Sequence, residues 1–213
     1  MRLIISVFNK IENVYLFWRH NGEVVALINQ INRETEVLVT NNEAFQIYVA
    51  AAAARKVEGD FAEVGVYKGG TARFICEAKR DKVLHLFDTF EGLPERTAED
   101  EFLEVGQFAA DIDEVKSFLK SYKKVYFYKG LFPETSVPVK NKRFAFVHLD
   151  VDFYKSTLDS LEFFYPRMSK GGIILSHDYS TLPGIKKAFD KFFSDKKEII
   201  IPLSTNQCLV FKL

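Results

Sequence analysis

The chain of 213 residues carries 29 basic and 29 acidic side chains with no block of like charge, so no electrostatic stripe invites nucleic acid or an anionic membrane. The length fits one domain with a sizeable core, and no apolar run approaches the roughly 20 residues of a membrane-spanning helix. A small, neutral or polar partner is expected. Cys76 and Cys208 each stand inside an apolar run and read as buried thiols, which suits a reducing, cytoplasmic compartment.

At the start of the chain, Arg2 and the apolar residues 3–8 have the outline of a signal peptide, but Asn9, Lys10 and Glu12 cut the stretch short. Ile4, Val7, Phe8, Ile11, Tyr15 and Trp18 recur at helical spacing, Asn21-Gly22 makes a turn, and residues 24–31 form a second short helix. A third helix opens on the capping box Thr40-Asn41-Asn42-Glu43, with Phe45, Tyr48, Val49 and Ala52 on one face and Gly59 past its end. Residues 1–59 are therefore expected to be a helical N-terminal extension, either a layer packed on the sheet edge or an arm that covers a site or joins subunits. An aromatic surface around Phe17 and Trp18 makes a homo-oligomer through these helices a further expectation.

From residue 60 to 213 strands and helices alternate, the pattern of an α/β core with a mainly parallel sheet and helices on both faces. Strands are predicted at 61–64, 83–87, 125–128, 144–149 and 172–175. Helices are predicted at 111–122, with Ile112, Val115, Phe118, Leu119 and Tyr122 on one face, at 156–165 behind a Ser156 cap, and at about 183–193. Segments 198–201 and 207–212 are separated by a few polar residues and should pair antiparallel. Residues 95–107 lack periodicity, as lids and binding loops often do. The whole chain, 1–213, reads as a single domain.

Two constellations carry chemistry. Glu63-Val64-Gly65-Val66-Tyr67-Lys68-Gly69-Gly70-Thr71 follows the first strand and opens a helix, where glycines admit close approach and free N–H groups attract anions. It is not the dinucleotide fingerprint, because three residues separate Gly65 from Gly69. With Asp88 at the end of the next strand, placed to accept from a ribose hydroxyl, the turn suggests a nucleoside-containing cofactor. The second constellation is Asp150-Val151-Asp152 and His177-Asp178-Tyr179, after the strands at 144–149 and 172–175. Asp150 and Asp178 suit a hard divalent cation and Asp152 a general base, against the alternative that Asp150 and Asp152 merely cap the following helix. His85 and His148 read as satisfied core histidines, and His20 as solvent-facing.

The stretches GDFAEVGVYKGGTA (59–72), LFDTFEGLP (86–94), GLFPET (130–135), LDVDFYKSTLDSL (149–161) and YPRMSKGGIILSHDY (165–179) together resemble the macrocin O-methyltransferase family, whose members methylate sugar hydroxyls of macrolide and aminocoumarin antibiotics. The resemblance implies the class I methyltransferase fold, a Rossmann-like, seven-stranded, mostly parallel sheet with an antiparallel last strand. It implies S-adenosylmethionine held by Glu63, Gly65, Tyr67, Gly69, Gly70 and Thr71, with Asp88 on the ribose, Thr89 and Phe90 beside the adenosine, Lys129, Gly130 and Leu131 at the adenine side, and Asp150 at the cofactor's edge. Asp150, His177 and Asp178 fall on the magnesium ligands and Asp152 on the proposed base. The family usually has Asp-Asp-Tyr where this chain has His177-Asp178-Tyr179; an imidazole favours manganese, iron or zinc over magnesium, or else serves as the base itself. The expected activity is metal-assisted O-methylation of a hydroxyl on a sugar or other polyhydroxylated small molecule. Alternatives are a catechol-like phenol methyltransferase and a non-catalytic scaffold that keeps the fold; a dinucleotide oxidoreductase is disfavoured by the glycine spacing.

Overall fold

The structure, a computed structural model, describes residues 22–100 and 103–213. The first predicted helix, with Phe17, Trp18 and His20, lies outside the described residues.

Seven strands form one sheet among the described residues: β1 (Asp60–Val64), β2 (Leu84–Asp88), β3 (Val125–Lys129), β4 (Phe144–Leu149), β5 (Met168–Ser176), β6 (Ile201–Pro202) and β7 (Cys208–Phe211), in the order β3-β2-β1-β4-β5-β7-β6. The first five are parallel, and β7 runs antiparallel between β5 and β6, in register Ile174 to Val210 and Ile201 to Leu209. Every residue of β4 is buried, because a parallel strand covered on both faces needs an unbroken apolar run. This matches the expected sheet and its closing hairpin. β6 is shorter and later than the segment 198–201: Pro202 offers no N–H to a ladder, and Glu198 turns inward to Lys212.

Helices α1 (Gly22–Glu34), α2 (Asn41–Ala54), α3 (Gly70–Lys79) and α4 (Ile112–Leu119) bury against one face of the sheet, on Phe61, Leu84, Leu86, Phe146, Ile173 and Leu175. Helices α5 (Tyr154–Phe164) and α6 (Pro183–Phe193) cover the other, on Ala62, Phe87, Val147 and Ile174. A fully buried phenylalanine such as Phe146 contributes about 2–3 kcal/mol of transfer free energy.

Of the described N-terminal helices, α2 lies on a sheet face over β4 and β5 and beside α3, not on the edge, and α1 packs on α2 and α3. The capping box is formed: Glu43 N–H donates to Thr40 Oγ1 at 3.3 Å, and Thr40 N–H to Glu43 Oε2 at 2.7 Å. The fully buried stripe of α2 is Ala44, Ile47, Ala51 and Ala54, whose small side chains admit α3 closely; Tyr48, Val49 and Ala52 are only half-buried. The cap of α5 also differs from expectation. The helix begins at Tyr154, so Ser156 falls inside its first turn, and the free Tyr154 N–H donates to Asp100 Oδ1 at 2.8 Å. Cys76 and Cys208 are buried and unpaired, and burial pushes the Cys76 thiol up to about 12.

Candidate active site

The carboxyl ends of β1, β2, β4 and β5 open into a cavity of about 510 Å³, where a parallel sheet exposes loop residues instead of core. Its wall includes Gly65, Tyr67, Gly70, Thr71, Asp88, Thr89, Gly130, Leu131 and Asp150 from the sequence-predicted cofactor set. Four members of that set lie off the wall. Glu63 is fully buried and bonded to His148 Nδ1 at 2.9 Å; Gly69 caps α3; Phe90 packs into the core; Lys129 turns outward to Glu91 at 3.1 Å. Burial raises the Glu63 carboxyl against the opposing pull of His148. His85 is satisfied as expected, by Tyr128 and Asp60, whereas His148 Nε2 has no partner among the described residues.

The glycine turn is shaped as much by protein as by any ligand. Gly65 has φ +87°, and a Cβ there would stand 1.8 Å from the Asp150 carbonyl oxygen, so only glycine lets the β1 and β4 ends meet. Asp88 ties the same turn to β2: its Oδ2 accepts from Val66 N–H (2.6 Å) and Tyr67 N–H (2.9 Å), and its Oδ1 from Phe90 N–H (2.6 Å).

Beyond the ends of β4 and β5 three carboxylates, Asp150, Asp178 and Glu43 of α2, converge on one imidazole. His177 Nδ1 lies 3.0 Å from Asp178 Oδ2 and 3.4 Å from Asp150 Oδ1, while its Nε2 lies 3.4 Å from Glu43 Oε2. Asp178 Oδ1 accepts from Asn206 Nδ2 (2.8 Å) and Thr181 Oγ1 (2.7 Å), which leaves Oδ2 turned to His177. Although burial opposes its charge, Asp150, Asp178 and Glu43 hold the His177 pKa well above the usual imidazole range. Asp152 shows the converse: burial, then the charges of Asp150 and Asp178, push its carboxyl well above the usual range. Asp152 and Asp178 both adopt left-handed backbone (φ +62° and +56°), a conformation Asp tolerates and functional sites concentrate.

Asp150, His177 and Asp178 form a group that could hold a metal ion. The donor atoms of Asp150, His177 and Asp178 all lie within 4.8 Å of one another. Donors sharing an ion at about 2.1 Å stand about 3.0 Å apart at a right angle and about 3.4 Å apart at a tetrahedral one, so the observed His177 spacings fit a divalent ion. The same cavity is also lined by apolar residues, Val37, Leu38 and Val39 ahead of α2 and Leu93 and Leu103. Sequence reasoning missed this linker and missed Glu43, which the capping box had already accounted for.

The strand order with its inserted antiparallel β7, and a cavity at the carboxyl ends of β1, β2 and β4, define a class I methyltransferase fold. The solved O-methyltransferase NovP shares it with a TM-score of 0.74 and 25% identity, over 84% of this chain and 82% of that one. CalS11, a calicheamicin methyltransferase, superposes with a TM-score of 0.70 at 16% identity, over 96% of this chain and 91% of that one. More narrowly, residues 40–210 match the macrocin-O-methyltransferase (TylF) family, and the chain belongs to it. Among its relatives is the 8-demethyl-8-(2,3-dimethoxy-alpha-L-rhamnosyl)-tetracenomycin-C 4'-O-methyltransferase of Streptomyces olivaceus, 32% identical over 63% of this chain and 58% of that protein. Another is the demethyldecarbamoylnovobiocin O-methyltransferase of Streptomyces niveus, 28% identical over 76% of this chain and 68% of that protein. The match therefore spans less than two thirds of the first relative's length. None of the described helices is long and apolar enough to cross a membrane.

Proposed function

We propose that the protein is an S-adenosylmethionine-dependent O-methyltransferase that acts on a hydroxyl of a sugar or sugar-bearing small molecule, assisted by a divalent cation. The observation that carries this reading is the meeting of Asp150, Asp152, His177 and Asp178 on the wall of the same cavity as the glycine turn and Asp88. The names of the relatives, which methylate a rhamnosyl-bearing tetracenomycin and a novobiocin precursor, support the acceptor class.

When bound, S-adenosylmethionine supplies an electrophilic methyl group on a positive sulfonium, and a divalent ion makes a coordinated hydroxyl more acidic. The chain supplies the rest. Gly65, Tyr67, Gly70 and Thr71 line the side of the cavity where the cofactor would sit, Asp88 would accept from the ribose, and Thr89, Gly130 and Leu131 would border the base. Asp150, His177 and Asp178 would hold the cation, and the imidazole would shift preference from magnesium toward manganese, iron or zinc. Asp152, half-buried on the same wall, would accept the hydroxyl proton as the oxygen becomes nucleophilic. The apolar linker ahead of α2 and Leu103 exclude water and fix the acceptor, and positioning of this kind lowers the barrier by several kcal/mol.

The test is transfer from S-adenosylmethionine to a panel of glycosylated aromatic acceptors, with Mn²⁺, Mg²⁺ or EDTA. Methylation is expected with Mn²⁺ and is lost with EDTA, and Asp152→Asn should abolish it while S-adenosylhomocysteine affinity stays unchanged. Normal turnover in that variant would refute the assigned base.

A further inference from the structure

We infer that Glu43 is a positioning residue for the cation site, holding His177 in the orientation and tautomer that turn Nδ1 toward Asp150 and Asp178. The inference rests on the metal-assisted reading above. His177 sits at the end of β5, with 8% of its surface exposed, and its two nitrogens face different partners. Nδ1 faces the two aspartates, and Nε2 has no hydrogen-bond partner among the described residues apart from the approach of Glu43 Oε2 at 3.4 Å. A carboxylate ligand needs no such partner. An imidazole does, because it coordinates through one nitrogen only when its proton resides on the other, and the group that accepts this proton decides which nitrogen binds.

Glu43 is itself held in place. Its Oε2 accepts from the Thr40 N–H at 2.7 Å, and its backbone carbonyl accepts from the buried Gln207 Nε2 at 3.5 Å. Gln207 follows Asn206, whose amide fixes Asp178 at 2.8 Å. One turn between β6 and β7 therefore secures both flanks of His177: Asn206 orients a ligand and Gln207 anchors the residue that orients the imidazole. The capping box that starts α2 is thus also a support of the cation site, and α2 begins where the cavity-lining linker ends.

Glu43→Gln is the informative variant, because Gln keeps one oxygen to accept from Thr40 N–H, turns the other into an NH2 donor and removes the negative charge that favours a proton on Nε2. Titration of Mn²⁺ into the full-length protein saturated with S-adenosylhomocysteine should show roughly 10–100-fold weaker metal binding in E43Q, with S-adenosylhomocysteine affinity and Tm unchanged. In the His177→Asp background, which has no second nitrogen to orient, the same substitution should change Mn²⁺ affinity less than about twofold. Equal penalties in both backgrounds, or a lowered Tm with metal affinity intact, would overturn the role of Glu43. Wild-type protein that binds S-adenosylhomocysteine but no Mn²⁺ would overturn the metal reading as a whole. A further readout needs no variant: with ¹⁵N-labelled histidine and Zn²⁺, His177 should show a protonated Nε2 and a metal-bound Nδ1, and the opposite arrangement refutes the proposal.

Discussion

Replacing Gly65 by alanine should damage both stability and the site, and the geometry sets the size of the effect. Two costs act at once. A non-glycine residue at φ +87° pays about 1–2 kcal/mol for left-handed backbone. The new Cβ would lie 1.8 Å from the Asp150 carbonyl oxygen, so the β1 and β4 ends must part by about 1.6 Å to reach ordinary contact. Backbone, not a flexible side chain, is what stands in the way. Together these costs should reach about 3–5 kcal/mol, lowering Tm by about 6–20 °C in a chain of this length. Because the displaced residue is Asp150, Mn²⁺ affinity should fall as well, and a shift near 1 Å costs on the order of 10²-fold in rate. Gly106→Ala is the control: φ is +83° there too, but nothing lies within 4 Å of the added Cβ, so only the backbone cost applies. Urea unfolding of both variants beside wild type measures the difference, expected to be at least about 2 kcal/mol. Equal destabilisation by the two substitutions would show that the contact with Asp150 does not constrain this turn.

Three further outcomes are expected. Glu198 is buried; desolvation opposes its charge, but Lys212 and Tyr165 hold its carboxyl down at about 2. A depressed carboxylate stabilises the fold fully above its unfolded value near 4.5 and loses that contribution as pH falls toward 2, about 2–3 kcal/mol after allowance for solvent at Lys212. Urea midpoints between pH 6 and 3 should therefore fall more steeply for wild type than for Glu198→Gln, and parallel curves would contradict the pairing. Asp100→Ala removes the acceptor for the first N–H of α5 and should cost about 1 kcal/mol, with faster protease cleavage in residues 95–107; unchanged cleavage would show that the loop is held elsewhere. Phe146→Ala, at a fully buried position between sheet and helices, should cost about 3–5 kcal/mol by chemical denaturation, and a cost below 1 kcal/mol would show that the site collapses around the cavity.

Much of the architecture was legible because its signals are local. Strands covered on both faces read as continuous apolar runs, so β1, β2, β4 and β5 stood out, and Asp88, Asp150 and Asp178 were recognisable as acids at or just past strand carboxyl ends. The capping box was legible for the same reason. What escaped depends on distant partners. Glu43 looked fully explained by Thr40 three residues away, and only the fold brings it to His177. Ser156 looked like a cap, but the acceptor for α5 is Asp100, 54 residues earlier. The buried face of α2 is mostly alanine, so its hydrophobic pattern pointed instead to the larger Tyr48 and Val49. Glu63 stood within a cofactor-like motif, yet it shares a sheet face with Phe61 and points under α3, where Thr71 and His148 meet it.

The last hairpin sets an order of events during synthesis. A nascent chain can make the glycine turn, Asp88 and all three carboxylates around His177 long before residue 207 leaves the ribosome, but not the amides of Asn206 and Gln207 that fix Asp178 and Glu43. β7 must also insert between β5 and β6 to complete the sheet. The acidic cluster therefore gains its last two supporting amides only when the C-terminal hairpin closes.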